Sequence, residues 1–295
     1  MKKSVSLLLA GLMLCGALAG CSSNEPAATT GEETQGEAAG TSGAIHVVSR
    51  EDGSGTRGAF VELTGVEDDN GDNTTVEAEI ANRTDAVLTT VAGNEAAIGY
   101  VSLGSLNDTV KAVTVDGVEA TVDNVKSGDY TLSRPFNIAT KGEPTGVAAD
   151  FINFIMSADG QAIVGEDYIT VNDNAEAFTS DGSSGHITVG GSSSVSPVME
   201  QLIEAYKAVN PNAQIDLQTS DSTSGMTGAM DGTFAIGMAS RELKDEEAAE
   251  LTGTAIALDG IAVIVNTGNT VDNLTMDQIR SIYVGETTDW ADVAA

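Results

Sequence analysis

Short β-rich runs alternate with stretches of helical period along this chain, and that alternation restricts the possible folds more than any other feature. "IHVVS" (Ile45 to Ser49), "AAIGYVSL" (Ala96 to Leu103), "VKAVTV" (Val110 to Val115), "HITVGG" (His186 to Gly191), "QIDLQT" (Gln214 to Thr219), "FAIGMAS" (Phe234 to Ser240) and "IAVIVN" (Ile261 to Asn266) read as strands. Between them, Met199, Leu202, Ile203 and Tyr206 share one helical face, as do Phe151, Phe154 and Ile155. Asp150 and Ser196 are expected as the N-caps of these two helices, with Pro197 suited to the first turn. The pattern is that of an α/β protein. With 295 residues, 41% of them apolar, the chain can bury the core of one large or two medium domains.

The first twenty residues are read as an export leader rather than as fold. Lys2 and Lys3 precede an apolar run from Val5 to Leu18, and small residues then lead to a cysteine in "LAGC", Leu18 to Cys21. The two cysteines, Cys15 and Cys21, lie in this leader and directly after it, so the mature domain has no disulfide partner and no thiolate metal site. Residues 21–43 are rich in Ser, Thr, Gly, Glu and Ala and carry no large apolar side chain, which suits a flexible tether. The folded part is expected to begin near Ala44.

Charge narrows the partners. The formal net charge is −31, and no run of Lys and Arg interrupts the excess of acid, which argues against nucleic acid. "DDNGDNTTVEAE" (Asp68 to Glu79) has calcium-loop spacing but places Asn73 where such loops need glycine, and is read as an acidic surface loop. A serine hydrolase would need a base; the available histidines, His46 and His186, each lie beside a strand and are read as structural.

Three clusters of glycine and hydroxyl residues remain: "REDGSGTR" (Arg50 to Arg57), "GGSSSVSP" (Gly190 to Pro197) and "SDSTSGM" (Ser220 to Met226). The first two each follow an apolar run and open a helical pattern. They therefore offer backbone N–H groups and hydroxyls at a helix N-terminus, where unpaired donors and the helix dipole favour an oxyanion. Arg50 could add a bidentate charged contact, with Asp52 holding its guanidinium. Any one such cluster could equally be ordinary turn and cap chemistry.

Together with "AIGMASRELKDEE", "LDGIAVIVN" and "NLTMDQIRSIYVGETTDW", these motifs closely resemble the phosphate-binding lipoproteins of bacterial ABC importers, over nearly all of residues 44–295. The resemblance implies two α/β lobes of the periplasmic-binding-protein kind, joined by two crossover strands, closing on inorganic phosphate and delivering it to a membrane permease. It implies a binding protein and not an enzyme, with no cofactor and a monomeric state. It also implies cleavage before Cys21, diacylation of its sulfur and an extracytoplasmic, membrane-anchored location. An adhesin or scaffold, or a binder of sulfate or molybdate, is the alternative.

Relatives of this kind run from the "GSSSVSP" motif to "REDGSGTR"; here "REDGSGTR" comes first, as in a circular permutation. A deletion product or a fragment of a tandem pair is the rival explanation. On the permuted reading, one lobe takes residues 44–140 and 267–295 and the other takes 141–171 and 185–266. Residues 172–184 would then join the family's usual ends. "RPFNIATKG" and "LDGIAVIVNTGN" are the expected crossovers.

By the same resemblance, the ligand contacts carry over to Ser193, Ser194, Ser222, Arg50, Ser54, Gly55 and Thr56, with Asp52 as the partner of Arg50. An aspartate that accepts the phosphate proton in many members is matched by Ser240. A neutral hydroxyl there weakens the penalty on an unprotonated anion, so sulfate should compete better than is usual.

Overall fold

In the computed structural model, which describes residues 41–293, β1 (His46–Arg50) feeds α1 (Gly55–Thr64). There follow β2 (Glu67–Asp68), β3 (Gly71–Asp72), β4 (Glu79–Ala81), α2 (Thr84–Ala92), β5 (Ala97–Ser102), β6 (Val110–Ala112), β7 (Thr114–Val115) and α3 (Val122–Ser127). Next come β8 (Ser133–Thr140), α4 (Val147–Ile155), α5 (Ala158–Asp167), β9 (Gly185–Ser192), α6 (Ser196–Val209), β10 (Ala213–Ser220) and α7 (Ser222–Asp231). The chain closes with β11 (Ile236–Ala239), α8 (Asp245–Ala248), β12 (Thr252–Asn266), β13 (Asn273–Leu274) and α9 (Met276–Tyr283). The leader, Cys21 and all but the end of the tether lie outside the described residues. Among the described residues no helix is long and apolar enough to cross a membrane.

The main sheet runs β10-β9-β11-β8-β12-β5-β1-β4, with β6 also on β12. Parallel pairs lie at its two ends, β9 with β10 and β11, and β1 with β4 and β5. Each parallel group needs helical crossovers, so each end becomes a separate α/β lobe. Antiparallel β8 and β12 join them. β12 pairs with β8 from Thr252 to Gly260 and with β5 from Ile261 to Val265, so one strand of fifteen residues belongs to both lobes. β8 and β12 are the crossover strands that "RPFNIATKG" and "LDGIAVIVNTGN" lead one to expect.

Each lobe has its own core. In the β1 lobe Phe60 stacks on Tyr100 at 3.9 Å between ring centroids, and the Tyr283 edge meets Phe60 at 4.7 Å. In the β9 lobe Phe136, Phe151, Phe154, Met199 and Tyr206 pack together, fully or nearly fully buried. The stretch from Asp68 to Glu79 runs from the end of β2 through β3 to the start of β4. Asp72 accepts from Arg57 at 2.7 Å, and Glu79 meets His46 at 2.8 Å, so these acids are turned toward different partners.

Two expected caps are corrected. The helix expected to start at Asp150 begins earlier, at Val147 after Gly146, whose φ of 56° suits glycine. Ser196 is inside α6, which is preceded by Val195, although Pro197 does sit in the first turn. Asp150 points into the β9 lobe instead. Its carboxylate accepts from Ser180 Oγ at 2.7 Å, Tyr206 Oη at 2.7 Å, Asn210 Nδ2 at 3.2 Å and the Asp181 N–H at 3.0 Å. The segment after α5 is thereby pinned to α4 and α6, and Phe178 adds an edge contact with Phe154 at 5.2 Å.

Burial pushes the Asp150 carboxyl upward, but the hydrogen bonds from Ser180, Tyr206, Asp181 and Asn210 outweigh it and hold the group below the usual carboxylate range. A depressed folded pKa contributes stability above the unfolded value, and that contribution is lost as pH falls through the folded value. Asp150→Ala, which leaves buried donors without an acceptor, should cost about 1–3 kcal/mol in urea unfolding at neutral pH. The difference from the parent should shrink in acid; equal stability of the two at neutral pH would contradict this role.

Candidate functional site

The three hydroxyl clusters converge where the lobes face each other. Arg50 ends β1, and α1 starts five residues on, so the four-residue turn between them must reverse the chain while leaving the first N–H groups of α1 free. Ser54 caps α1 by accepting from the Arg57 N–H at 3.3 Å, in extended backbone geometry. Across the cleft, β9 ends at Ser192, Ser193 and Ser194 lead into α6, and Ser222 opens α7 behind the cap Asp221.

Arg50, Ser54, Thr56, Ser193, Ser194, Ser222 and Ser240 are all buried. Arg50 Nη2 donates across the cleft to Ser193 Oγ at 3.1 Å, and Thr56 Oγ1 meets Ser194 Oγ at 2.8 Å and Ser240 Oγ at 3.3 Å. Ser222 Oγ accepts from the Ser240 N–H at 3.1 Å, and Ser192 Oγ donates to Ser240 Oγ at 3.0 Å. The backbone also joins the lobes, with the Thr223 N–H on Gly53 O at 3.1 Å. Gly55 lies against the β9 lobe itself. A cavity of about 340 Å³ opens beside Thr84 and Ser193 and leads past Arg83, Asp85, Ser196 and Glu200.

Asp52 is not the partner of Arg50. Its side chain is 96% exposed and bonds Arg57 at 2.8 Å. Arg50 is instead clamped by its neighbour Glu51, which accepts from Nε at 2.8 Å and from Nη2 at 2.7 Å. Asp52 sits in the turn and faces outward, whereas Glu51 sits beside the strand end, within reach of the guanidinium plane. Cys21 lies outside the described residues.

Two further residues belong to the cluster. Thr84, the first residue of α2, places Oγ1 3.2 Å from both Ser193 Oγ and Ser194 Oγ and accepts from Arg50 Nη1 at 3.4 Å. "RTDAV" has the threonine and early acid of a helix start, a signal that could have marked it. Arg134, on β8, donates from Nη2 to Thr56 Oγ1 at 3.1 Å and from Nη1 to Gly260 O at 2.8 Å. Its Nη1 also lies 2.6 Å from Asp259 Oδ2, its register partner on β12. Burial raises the Asp259 carboxyl to about 6, outweighing the opposing pull of the Arg134 charge.

The arrangement presents guanidinium, hydroxyl and backbone N–H donors from both lobes toward a common centre, which is the chemistry of a tetrahedral oxyanion site.

A model described as the PBP superfamily domain matches residues 19–159 and 176–295 of this chain. Phosphate-binding protein PstS 2 of Streptococcus agalactiae is 47% identical over 300 residues, covering 99% of this chain and 98% of that one. The Streptococcus pneumoniae protein of the same name is 45% identical over 265 residues, covering 88% of this chain and 91% of that one. The crystal structure of a phosphate-binding protein of a phosphate ABC transporter from Streptococcus pneumoniae superposes with a TM-score of 0.69 at 46% identity. That match covers 85% of this chain and all of the other.

A side chain at Gly55 tests how tightly the lobes meet. Its Cβ would lie 2.4 Å from Ser222 Oγ and 2.9 Å from Ser240 Oγ, both on the opposite lobe and both buried. Gly55→Ala should therefore disfavour the closed arrangement by about 1–3 kcal/mol, an overpacking cost. Solution scattering should show a larger radius of gyration than the parent; an unchanged radius would contradict the contact.

Proposed function

The chain belongs to the phosphate-binding-protein family within the PBP superfamily, and we propose that it captures inorganic phosphate between its lobes and hands it to an ABC permease. The observation that carries the reading is Arg50, buried at the cleft and reaching Ser193 on the opposite lobe at 3.1 Å. A guanidinium placed there can serve an anion held by both lobes, so that ligand binding and lobe closure favour each other.

Binding proceeds through the chain's own donors. The N–H groups at the starts of α1 and α6 and the hydroxyls of Thr56, Ser193, Ser194 and Ser222 offer hydrogens to the phosphate oxygens. Arg50, fixed by Glu51, supplies the charge. In a closed site these donors act at contact, whereas the field of the acidic surface is screened over about 8 Å at physiological ionic strength. The net charge of −31 is thus compatible with an anionic ligand. Ser240 brings a hydroxyl and not a carboxylate to the cradle, which supports a weaker demand for a protonated ligand and better competition by sulfate.

In this reading the chain is a monomeric binding protein rather than an enzyme, exported and anchored through a lipid on Cys21 at the outer face of the membrane. The near full-length match makes the motif order a property shared with the Streptococcus agalactiae protein. Circular permutation is the reading of that order we favour, and the single sheet carried through β8 and β12, which joins both lobes, supports it.

Titration calorimetry on the protein with phosphate, then with sulfate in competition, tests the function. Arg50→Ala should weaken phosphate by about 2–5 kcal/mol, as for loss of one partner of a buried charged contact. A folded Arg50→Ala protein that loses less than about tenfold in affinity would contradict the site.

A further inference from the structure

We propose that Arg134, carried on crossover strand β8 and balanced by Asp259 on β12, is a second cationic determinant of anion affinity. It acts as a positioning residue that turns the Thr56 hydroxyl toward the ligand. The inference rests on the phosphate-binding reading of the cleft.

Geometry sets this role. Arg134 is only 3% exposed, and its guanidinium touches both lobes from the hinge side of the cleft. Nη2 donates to Thr56 Oγ1 at 3.1 Å on α1, and Nε donates to Ser240 O at 3.4 Å after β11. A guanidinium has donors and no acceptor. Thr56 Oγ1 must therefore accept from Arg134, and its own hydrogen is left to point away, toward Ser194, Ser240 and the centre of the cradle. Without Arg134 the same hydroxyl could rotate and present a lone pair to the anion.

The counter-charge is equally placed. Asp259 is fully buried, and its compensation is the 2.6 Å contact with Arg134 Nη1, a nitrogen that already donates to Gly260 O. The Ser102 hydroxyl and the N–H groups of Leu103 and Gly104 lie near the Asp259 carboxylate and favour its charge, but among the described residues neither oxygen has a partner in full hydrogen-bonding geometry. The pair is therefore an ionic one, neutral as a whole, lying one hydroxyl away from the cradle. Removing the acid alone would leave the buried Arg134 charge without its counter-ion, a cost that a bound anion would offset.

That gives opposite signs to two substitutions. Calorimetry with inorganic phosphate would compare the parent, Arg134→Gln, Arg134→Lys, Asp259→Asn and, as a reference, Arg50→Ala. Arg134→Gln should bind at least tenfold more weakly. Arg134→Lys, which keeps the charge but loses the fork that reaches Thr56, should fall between Gln and the parent. Asp259→Asn should bind at least threefold more tightly, with a larger phosphate-induced rise in unfolding temperature than the parent shows.

A pair that serves folding alone would weaken binding in both directions, so weaker binding by Asp259→Asn overturns the proposal, as does Arg134→Gln within threefold of the parent. Should Arg134→Gln fail to fold, the sign of the Asp259→Asn change decides. A parent that does not bind phosphate overturns the functional reading instead. Phosphate binding that is lost in Arg50→Ala and kept in Arg134→Gln overturns this inference alone.

Discussion

Arg50 reaches from the end of β1 across the cleft to Ser193, and most of the site's organisation follows from the fact that this guanidinium can only donate. Ser193 Oγ and Thr84 Oγ1 accept from it, so their hydrogens are turned elsewhere. Backbone N–H groups act in the same way: Ser240 N–H fixes Ser222, and Ser194 N–H fixes Ser192. Groups that cannot accept thus surround hydroxyls that can do either, and the hydroxyls are left as donors. A tetrahedral oxyanion, whose unprotonated oxygens only accept, completes such a network, whereas a neutral polyol would compete with it.

The frame that brings these groups together is the pair of antiparallel crossover strands. Each lobe would close its own parallel sheet, and the continuity of β12 through both makes the hinge part of the sheet rather than a loose linker. The irregular register between Ala255 and Ala257 and the change of partner after Gly260 allow the strand to leave one lobe and enter the other. Arg134 and Asp259 face each other at this change of partner, so the buried charge of the hinge and the charge of the cradle are neighbours. Two ionic pairs, Arg50 with Glu51 and Arg134 with Asp259, let the protein bury guanidinium groups that would otherwise be costly to desolvate.

Much of this was legible where the signal is local. β-rich runs ending in glycine and serine marked the clusters that begin at Arg50 and Gly190, because a strand end followed by a helix start is written within a few consecutive residues, whereas Ser54 to Thr56, Ser193, Ser194 and Ser222 were singled out by the family resemblance. Ser240 was found through its motif. The partner of Arg50 was misplaced because Glu51 and Asp52 are both near in sequence, and only the direction of the turn decides which carboxylate meets the guanidinium plane. Thr84 and Arg134 were missed for another reason: they lie 109 and 78 positions from their contacts Ser193 and Thr56, so tertiary structure alone joins them. Asp150 looked like a cap because it precedes an apolar period. Its capture by Tyr206, Asn210 and the segment at Ser180 and Asp181 is again a long-range event.

One anion held by donors from both lobes at once should be visible in a crystal structure of the protein grown with phosphate. The phosphate should lie within hydrogen-bonding distance of Arg50 and Thr56 on one side and of Ser193 or Ser194 and Ser222 on the other, with the hydroxyl contacts between Thr56 and Ser194 opened to admit it. Phosphate found on one lobe only, or outside the cleft with Arg50 still bonded to Ser193, would rule out a site shared by the two lobes.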